Sequence, residues 1–278
     1  MDCTKQNYVD GKVIIITGAS GGFGALTAER ASEMGAKVVL AARNEEKLKT
    51  ETERIRAAGG EAAYCVTDVT KRADVYALAK FAVETYGRID VLVNNAGTMP
   101  LAFFKDHAKA MDAWENCIDL SLKGTLYGIA AVYDQMIKQG QGQGINISSI
   151  LANYPTQGAG VYDVAKKAVE MLADSLRVEA RGKIKATTIK PGGCTKTELF
   201  GTVISLTASS ASQNAKGLDM MMDSFMGSPE GKNDKNDVRF AMIDPEDLAD
   251  VIIYSINQPW GVNISDITLR ASGELSFA

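Results

Sequence analysis

Histidine, cysteine and clustered basic charge are scarce in this chain of 278 residues, and each scarcity excludes a class of site. The single histidine, His107, leaves too little material for a histidine-based metal site or a Ser-His-Asp triad, and its polar surroundings indicate a surface residue. The four cysteines are widely scattered, at Cys3, Cys65, Cys117 and Cys194, with neither metal-ligand spacing nor a disulfide framework. They predict a cytoplasmic, reducing location and no bound metal.

Charge and hydropathy exclude two further classes of partner. The formal net charge is −4 and no basic block is present, which disfavours nucleic acid. No apolar run reaches the length of a membrane span, and the opening MDCTKQNYVDGK lacks the apolar core of a signal peptide, so no membrane partner is expected. With 46% hydrophobic and 23% charged residues, the composition is typical of a soluble globular protein.

Apolar, β-rich runs alternate with helix-like segments along the chain. The predicted strands are 12–17, 36–42, 61–69, 89–97, 144–149, 184–193 and 264–270. The predicted helices are 23–35, 44–60, 72–86, about 108–138, one that includes 159–172, and one that opens at Pro245. Runs such as VIII and VLV lack polar alternation, as expected for strands covered on both faces. The pattern predicts an α/β fold with a single-domain, Rossmann-like, doubly wound parallel sheet of about seven strands and helices on both faces.

One segment interrupts this alternation. Residues 201–238 are rich in Ser, Gly, Met and Asp and show no clear period. We interpret 199–238 as an insertion or lid over the substrate, within one domain that spans 1–278.

A glycine-rich turn, TGASGGFG, lies between the first predicted strand and the first predicted helix. Gly18, Gly22 and Gly24 follow a Gly-x-x-x-Gly-x-Gly spacing, which allows a tight turn and a close approach of the backbone to a ligand. The helix that follows offers free N–H groups and the positive end of its dipole to a pyrophosphate. A merely tight turn is the alternative, but the strand–turn–helix context favours dinucleotide binding.

The end of the second predicted strand indicates which dinucleotide is preferred. In this fold an acid there binds the ribose 2′-hydroxyl of NAD, but the sequence reads LAARNEE, with Ala42 followed by Arg43. Glu45 and Glu46 come later, in the predicted first turn of a helix. Arg43 is either a plain surface cation or a partner for a 2′-phosphate; its position favours the phosphate, and hence NADP(H).

The motif Tyr-x-x-x-Lys places a phenol and an ammonium on one face of a helix, where the lysine can lower the pKa of the phenol. It occurs at Tyr8/Lys12, Tyr76/Lys80 and Tyr162/Lys166. The first pair precedes the first strand, and the second has no hydroxyl partner nearby. The third follows a strand that ends at Ser149, and ligands of an open parallel sheet lie outside the carboxyl ends of its strands. We therefore expect Ser149 and Tyr162 to converge.

Taken together, these motifs resemble the short-chain dehydrogenase/reductase family, of the NADP-preferring type. They occur in the family's order over nearly the whole chain: TGASGGFG (17–24), DV (68–69), NNAG (94–97), SS with YDVAK (148–149 and 162–166) and PGG (191–193). The resemblance implies an NADP(H)-dependent oxidoreductase, ketoreductase-like, that interconverts a secondary alcohol and a ketone by hydride transfer with a tyrosine as acid/base. It also implies a homotetramer or homodimer.

The resemblance implies a role for each matching residue. Tyr162 would exchange a proton with the substrate oxygen, and Lys166 would bond the nicotinamide ribose and lower the pKa of the tyrosine. Ser149 would orient the substrate oxygen, Asp68 and Val69 would lie around the adenine, and Asn94 would steady the sheet. The cofactor-binding residues expected are Gly18, Ser20, Gly21, Gly22, Phe23, Gly24, Arg43, Asp68, Val69, Asn95, Ala96, Gly97, Tyr162, Lys166, Pro191, Gly192, Thr195 and Thr197.

Two positions depart from the family pattern. In IDLSLKG (118–124), Ser121 stands where the family usually has an asparagine that holds a water connecting the lysine to solvent. Because a serine can also hold a water, we count Ser121 among the catalytic residues. After PGG, Lys196 stands where relatives usually have a threonine near the carboxamide and phosphates. Thr195 and Thr197 are both candidates for that contact, and we prefer Thr197 because TEL continues in the family manner.

The substrate is expected to be a small molecule, and its class depends on the stretch LDMMMDSFMG. Methionine-rich surfaces adapt to irregular apolar shapes, which favours a bulky apolar carbonyl or a hydroxysteroid-like compound if this stretch lines the pocket. The stretch could equally form an amphipathic helix packed on its own domain or on another subunit. The alternative function is a catalytically weak NADP-binding sensor or scaffold with the same fold.

Overall fold

The computed structural model describes residues 6–195, 198–204 and 234–274. Its strands are β1 (Val13–Thr17), β2 (Lys37–Ala42), β3 (Glu61–Val66), β4 (Val91–Asn94), β5 (Gly142–Ile147), β6 (Ile184–Pro191) and β7 (Asp266–Leu269). Its helices are α1 (Gly22–Glu33), α2 (Glu45–Ala57), α3 (Arg72–Tyr86), α4 (His107–Ile118), α5 (Gly124–Gln139), α6 (Gly160–Glu179) and α7 (Pro245–Ile256). The strands form one sheet in the order β3-β2-β1-β4-β5-β6-β7, and every neighbouring pair is parallel.

Helices cover both faces of this sheet. Successive side chains of a strand point to opposite faces, so Ile14 and Ile16 of β1 join one core while Ile15 joins the other. The first core includes buried residues of α1, α2 and α7, and the second includes buried residues of α3, α5 and α6. The predicted doubly wound α/β fold is confirmed. None of the helices described is both long and apolar enough to cross a membrane.

The long helical pattern predicted over 108–138 is confirmed as a continuous run of helical turns over 107–139, with a change of helix type in the middle. It consists of α4 and α5 joined by a π-helical turn at Asp119–Lys123, which buries Leu120 and Ser121. A π turn adds one residue to a helical turn and leaves the apolar periodicity on either side nearly unchanged, so the sequence pattern did not reveal it. The turn matters because it carries Ser121.

The proposed lid is described only at its two ends. A short 3₁₀ helix spans Glu198–Thr202, and residues 234–238 lead toward α7. The methionine-rich stretch LDMMMDSFMG lies outside the described residues, so the lid and the single-domain assignment stay predictions.

At the amino ends of β1 and β6, Trp260 lies beside two buried lysines. The Lys12 ammonium is 4.5 Å from the centre of the indole ring, and the Lys185 ammonium is 5.2 Å from it. Lys12 also donates to the Ile256 carbonyl and Lys185 to the Val262 carbonyl, each at 3.0 Å. Burial lowers the pKa of both lysines to about 8. This cluster occupies the end of the sheet opposite to the predicted site.

Candidate active site

The strand order reverses between β1 and β4, and a cavity opens at the carboxyl ends of these two strands. From β1 the chain proceeds outward to β2 and β3, then returns to place β4 on the other side of β1. Such a switch point leaves a crevice for a ligand. The cavity has a volume of about 690 Å³. The described residues that line it are Gly18, Ser20, Gly21, Gly22, Phe23, Ala42, Arg43, Asn44, Lys47, Thr67, Val69, Asn95, Ala96, Gly97, Thr98, Leu120 and Leu199.

Thr17 and Asn95 tie the two turns of this switch point together. The Thr17 hydroxyl donates to the Val93 carbonyl at 3.2 Å and accepts from the backbone N–H groups of Asn95 and Ala96 at 3.0 and 3.2 Å. The Asn95 amide donates to the Thr17 carbonyl at 2.9 Å. Asn95, which is predicted to bind cofactor, thus lines the cavity, but its side-chain amide donates to the turn after β1. Sequence reasoning missed the part played by Thr17, although it opens the motif TGASGGFG.

Asn94 links the strands beneath the site, as the resemblance implied. Its amide donates to the Asn146 side-chain oxygen at 2.9 Å and so connects β4 to β5. Both residues are buried. The strand end from which Asn95, Ala96 and Gly97 emerge is therefore fixed by side chains as well as by the sheet.

The glycine turn has no room for side chains at two of its positions. A Cβ at Gly24 would collide with the Gly18 carbonyl and come within 2.9 Å of Ala19 Cα. Gly18 has φ +68°, and a Cβ there would lie 3.0 Å from Ala96 Cα. Gly21, by contrast, meets no atom of the described residues within 4 Å, and none of their side chains caps the start of α1. A close-packed turn whose helix N-terminus faces open space fits a dinucleotide pyrophosphate.

The far end of the cavity carries two cations. Arg43 follows β2 directly and lines the cavity. Asn44 caps α2 by accepting the Lys47 backbone N–H at 3.0 Å, which sets Lys47 in the first turn, where it also lines the cavity. Sequence reasoning found Arg43 and missed Lys47, for which the cap at Asn44 was the available signal. Two cations at this strand end fit a 2′-phosphate.

Asp68 and Val69, which are predicted to lie around the adenine, have different surroundings in the structure. Val69 lines the cavity together with Thr67, whereas Asp68 is not among the described lining residues. The Asp68 carboxylate accepts from the Thr70 hydroxyl at 2.7 Å and from the Thr70 backbone N–H at 3.1 Å. Burial raises the pKa of Asp68, but these bonds outweigh it and the pKa is lowered overall. The Asp68 carboxylate orders the loop beside the cavity wall, and its expected cofactor contact stays a prediction.

The structure brings Ser149, Tyr162 and Lys166 together beside this cavity. The Ser149 hydroxyl lies close enough to the Tyr162 phenol to lower its pKa. The Lys166 ammonium lies 5.8 Å from the centre of the Tyr162 ring and donates to the Ile147 carbonyl at 2.9 Å. A Cβ at Gly97, which lines the cavity, would lie 3.4 Å from that ammonium. The ammonium therefore stands directly behind the cavity wall.

Local structure places each of these side chains. Ser149 comes two residues after β5 ends, and its hydroxyl accepts the Leu151 backbone N–H at 3.2 Å to begin a 3₁₀ turn over Ile150–Asn153. Helix α6 begins at Gly160, so Tyr162 lies in its first turn and Lys166 one turn later on the same face. The sequence spacing was sufficient to predict this convergence because a strand end and a helix start are both rigid.

The pKa values in the site depart from the expectation. Burial raises the pKa of Tyr162, even though the nearby Ser149 hydroxyl lowers it in part. Burial also lowers the pKa of Lys166 to about 8. The expected lowering of the Tyr162 pKa by Lys166 is therefore wrong for this arrangement, because apolar side chains such as Leu101 and Ile150 surround the phenol and disfavour its charged form.

Ser121 lies in the π turn with its side chain buried. It is 2% exposed, and its hydroxyl has no hydrogen-bond partner among the described residues. The same holds for the Thr98 hydroxyl, which belongs to the segment after Gly97. Buried hydroxyls without protein partners are the groups that ordered water satisfies. Ser121 is therefore suited to hold a water, and the neighbouring Cys117 thiol interacts with both Ser121 and Lys166.

The turn after β6 is held by Glu274 and Asp244. Glu274 accepts the Gly193 backbone N–H at 2.8 Å, and its carboxylate would collide with a Cβ at Gly192. The Thr195 hydroxyl donates to the Asp244 carboxylate at 3.0 Å. None of the described residues of this turn, Pro191 included, lines the cavity, and Thr197 lies outside the described residues. No sequence signal pointed to Glu274, because its partner is 81 positions away.

Comparisons with known proteins agree with this geometry. Residues 12–205 match the family model described as short chain dehydrogenase. An uncharacterised oxidoreductase of Listeria monocytogenes is 37% identical over 272 residues, which cover 96% of this chain and 98% of the relative.

Two solved structures are similar over most of their length. A metagenomic short-chain oxidoreductase in complex with NADP is 28% identical, with a TM-score of 0.72 over 95% of this chain and 98% of the other. The closed form of serine dehydrogenase complexed with NADP⁺ is 26% identical, with a TM-score of 0.76 over 92% of this chain and 94% of the other.

Proposed function

This chain belongs to the short-chain dehydrogenase family, and we propose that it is an NADP(H)-dependent oxidoreductase that interconverts a secondary alcohol and a ketone. The observation that carries the proposal is the cluster of Ser149, Tyr162 and Lys166 beside a cavity suited to a dinucleotide. When bound, the nicotinamide supplies the hydride. The protein supplies orientation and a proton.

Two hydroxyl groups act on the substrate oxygen. Hydride transfer to a ketone places negative charge on that oxygen, which the Ser149 hydroxyl stabilises and the Tyr162 phenol neutralises by donating its proton. Because burial keeps the phenol protonated, this arrangement favours Tyr162 as the donor in ketone reduction. Lys166 donates one of its three N–H groups to the Ile147 carbonyl, and the other two could donate to a ribose hydroxyl. Ser121 would hold a water that carries protons toward this lysine.

The residues that would hold NADP(H) line the cavity. The turn at Gly18, Gly22 and Gly24 would cradle the pyrophosphate, and Arg43 with Lys47 would bind the 2′-phosphate. The NADP bound in the two similar structures supports this assignment.

Replacing Arg43 with aspartate is expected to change the cofactor preference. A hydrogen bond to a charged group is worth about 1.5–3 kcal/mol, so KM for NADPH should rise about 10- to 100-fold while KM for NADH falls. Steady-state kinetics with both cofactors measures this. Lys49→Asp is the matched control, because Lys49 lies on α2 with the same charge but is exposed outside the lining of the cavity. A wild-type enzyme that prefers NADH would contradict the assignment.

The substrate that we propose is a bulky apolar carbonyl or a hydroxysteroid-like compound. The surroundings of Tyr162 support an apolar class, because Met99, Leu101 and Leu151 pack in the same cluster and Leu199 and Val203 close its side. Oxidation of NADPH, followed by its absorbance with ketones that range from small charged compounds to steroids, tests the class. Turnover of small charged substrates alone would contradict it.

The alternative function is that of an NADP-binding sensor with weak catalysis. One feature favours it: the replacement of the family's asparagine by Ser121. The same assay separates the two functions, because a sensor would bind NADPH without oxidising it on any ketone of the panel.

We also propose that the chain forms a homodimer or homotetramer through α6. Val164, Met171 and Val178 recur every seven residues along this helix and are 69%, 61% and 65% exposed. Ile118 and Leu126, at the junction of α4 and α5, are exposed as well, and α4 packs against α6. Such an apolar face is expected to be covered by another chain. Light scattering should give a dimer or tetramer, and Met171→Lys should shift it toward a monomer; a monomeric wild type would contradict the proposal.

A further inference from the structure

A ten-residue stretch joins Ser149 to the helix that carries Tyr162, and its two halves are fixed in different ways. The first half is held by Ser149 itself, whose hydroxyl accepts the Leu151 N–H at 3.2 Å and begins the 3₁₀ turn. The second half is the closing loop, residues 154–159, which has no regular structure of its own. The closing loop joins the Ser149 end of this stretch to the start of α6, just ahead of Tyr162.

Asp163, the residue after Tyr162, holds the closing loop. Its Oδ2 accepts the Thr156 backbone N–H at 2.7 Å. Thr156 in turn accepts the Ala159 N–H at 3.0 Å, and Ala159 accepts the Asp163 N–H at 2.9 Å. The carboxylate therefore closes a ring of three hydrogen bonds between the loop and the first turn of α6.

Burying a carboxylate at this position costs more free energy than burying a neutral hydrogen-bond acceptor would. Asp163 is 6% exposed, and its Oδ1 is buried without a hydrogen-bond partner among the described residues. Burial raises its pKa to about 7, more than the bonds from Thr156 lower it. An asparagine could accept the same N–H without burying a charge. Residues that cost stability in this way concentrate at functional sites.

We propose that Asp163 is a positioning residue, whose carboxylate closes the loop and thereby sets the Ser149 hydroxyl against the Tyr162 phenol. The inference rests on the proposed function, since it assigns Asp163 to the same reaction. A hydrogen bond to an ionised acceptor is roughly twice as strong as one to a neutral acceptor, so the loop is held most firmly when Asp163 is charged.

The groups around Asp163 allow its own titration to dominate. From the closing loop it meets the N–H and the hydroxyl of Thr156. On its own helix its charge acts on Tyr162, and Lys166 and Lys167 follow three and four residues later. With Tyr162 held protonated by burial, ionisation of Asp163 near pH 7 is the step that strengthens the loop. The value of kcat should therefore rise between pH 6 and 8.

The test compares Asp163→Asn with the wild type. We expect kcat at pH 8 to fall about fivefold, KM for NADPH to stay unchanged, and the rise between pH 6 and 8 to disappear. Asp174→Asn is the matched control, because Asp174 lies on the same helix, is exposed and pairs with Arg177. A variant that keeps both kcat and the rise with pH would overturn the proposal.

Thermal unfolding adds a readout that a merely structural role would move in the opposite direction. The pKa of Asp163 is higher in the folded than in the unfolded chain, so the stability that it contributes is present at low pH and lost as the pH rises through about 7. Asp163→Asn should therefore raise Tm, and by more at pH 8 than at pH 5. A lower Tm together with a lower kcat at pH 8 would overturn the proposal, because Asp163 would then serve the fold alone.

Two further measurements test the role of Asp163 and the proposed function separately. In the ¹⁵N-threonine-labelled wild type, the Thr156 amide signal should titrate with an apparent pKa near 7, whether or not a substrate is known; an amide that does not respond between pH 5 and 9 would overturn the proposal. Turnover by Tyr162→Phe separates the two ideas. An active Tyr162→Phe enzyme would refute the proposed function, whereas an inactive one beside an unaffected Asp163→Asn enzyme would refute only the role of Asp163.

Discussion

Replacing Tyr162 with phenylalanine is expected to lower kcat about 10²–10⁴-fold, because a positioned acid or base usually contributes that much to the rate. The phenol hydroxyl is the proposed proton donor of the cluster, whereas the Ser149 hydroxyl would stabilise the substrate oxygen and the Lys166 ammonium donates to the Ile147 carbonyl. Phenylalanine keeps the ring that packs among Leu101 and Ile150, so the fold should be retained. Loss of NADPH oxidation with an unchanged Tm is the expected pair of results.

The other two Tyr-x-x-x-Lys motifs supply the controls for this experiment. Tyr76 is 47% exposed on α3, and Tyr8 lies ahead of β1, so Tyr76→Phe and Tyr8→Phe should be near neutral. NADPH affinity, measured by calorimetry, should stay close to the wild-type value in all three variants. Turnover of Tyr162→Phe at the wild-type rate would remove Tyr162 from the reaction.

Replacing Gly24 with alanine is expected to remove most cofactor binding and to destabilise the chain. The new Cβ would collide with the backbone carbonyl of Gly18, which cannot move aside as a flexible side chain could. Overpacking of this kind costs about 1–3 kcal/mol, which corresponds to a fall in Tm of roughly 2–12 °C for a domain of this size. Because the displaced turn is the proposed pyrophosphate cradle, Kd for NADPH should rise about 100-fold.

Two glycine controls separate folding from binding. In Gly261→Ala the new Cβ would meet no atom of the described part of the chain within 4 Å, and Gly261 lies at the other end of the sheet, so the change should alter neither Tm nor Kd. In Gly21→Ala the new Cβ would likewise meet none of the described atoms, but Gly21 lines the cavity; the change should leave Tm unchanged and weaken NADPH binding alone. A Gly24→Ala protein with wild-type Tm and Kd would show that the turn tolerates a shift.

Much of the fold could be predicted because its signals are local. Uninterrupted apolar runs such as VIII identify buried parallel strands, and the glycines of TGASGGFG identify the strand-to-helix turn between β1 and α1. The spacing of Ser149, Tyr162 and Lys166 also sufficed, since a strand end and one helical turn fix all three. Strand ends were predicted too long where polar loop residues follow: β3 ends at Val66, and β4 ends at Asn94.

The remainder depended on contacts between distant positions. Glu274 reaches Gly193 from 81 residues away, and the Thr17 hydroxyl bonds to groups 76–79 residues further along. The pKa of Tyr162 was predicted in the wrong direction for a related reason. The spacing to Lys166 is visible in the sequence, but the burial that outweighs it comes from residues such as Met99 and Ile150, which only the fold brings near.

The lysine pair around Trp260 has a consequence for any spectroscopic study of this protein. Trp260 is one of two tryptophans, and it reports on the base of the sheet, away from the cavity. As Lys12 and Lys185 lose their protons near pH 8, two cations disappear from the immediate surroundings of the indole. Indole emission is sensitive to nearby charge. A change in fluorescence near pH 8 is therefore expected from Trp260, which lies far from the cavity. A fluorescence change that arises from the reaction should still be observed after Trp260 is replaced by phenylalanine.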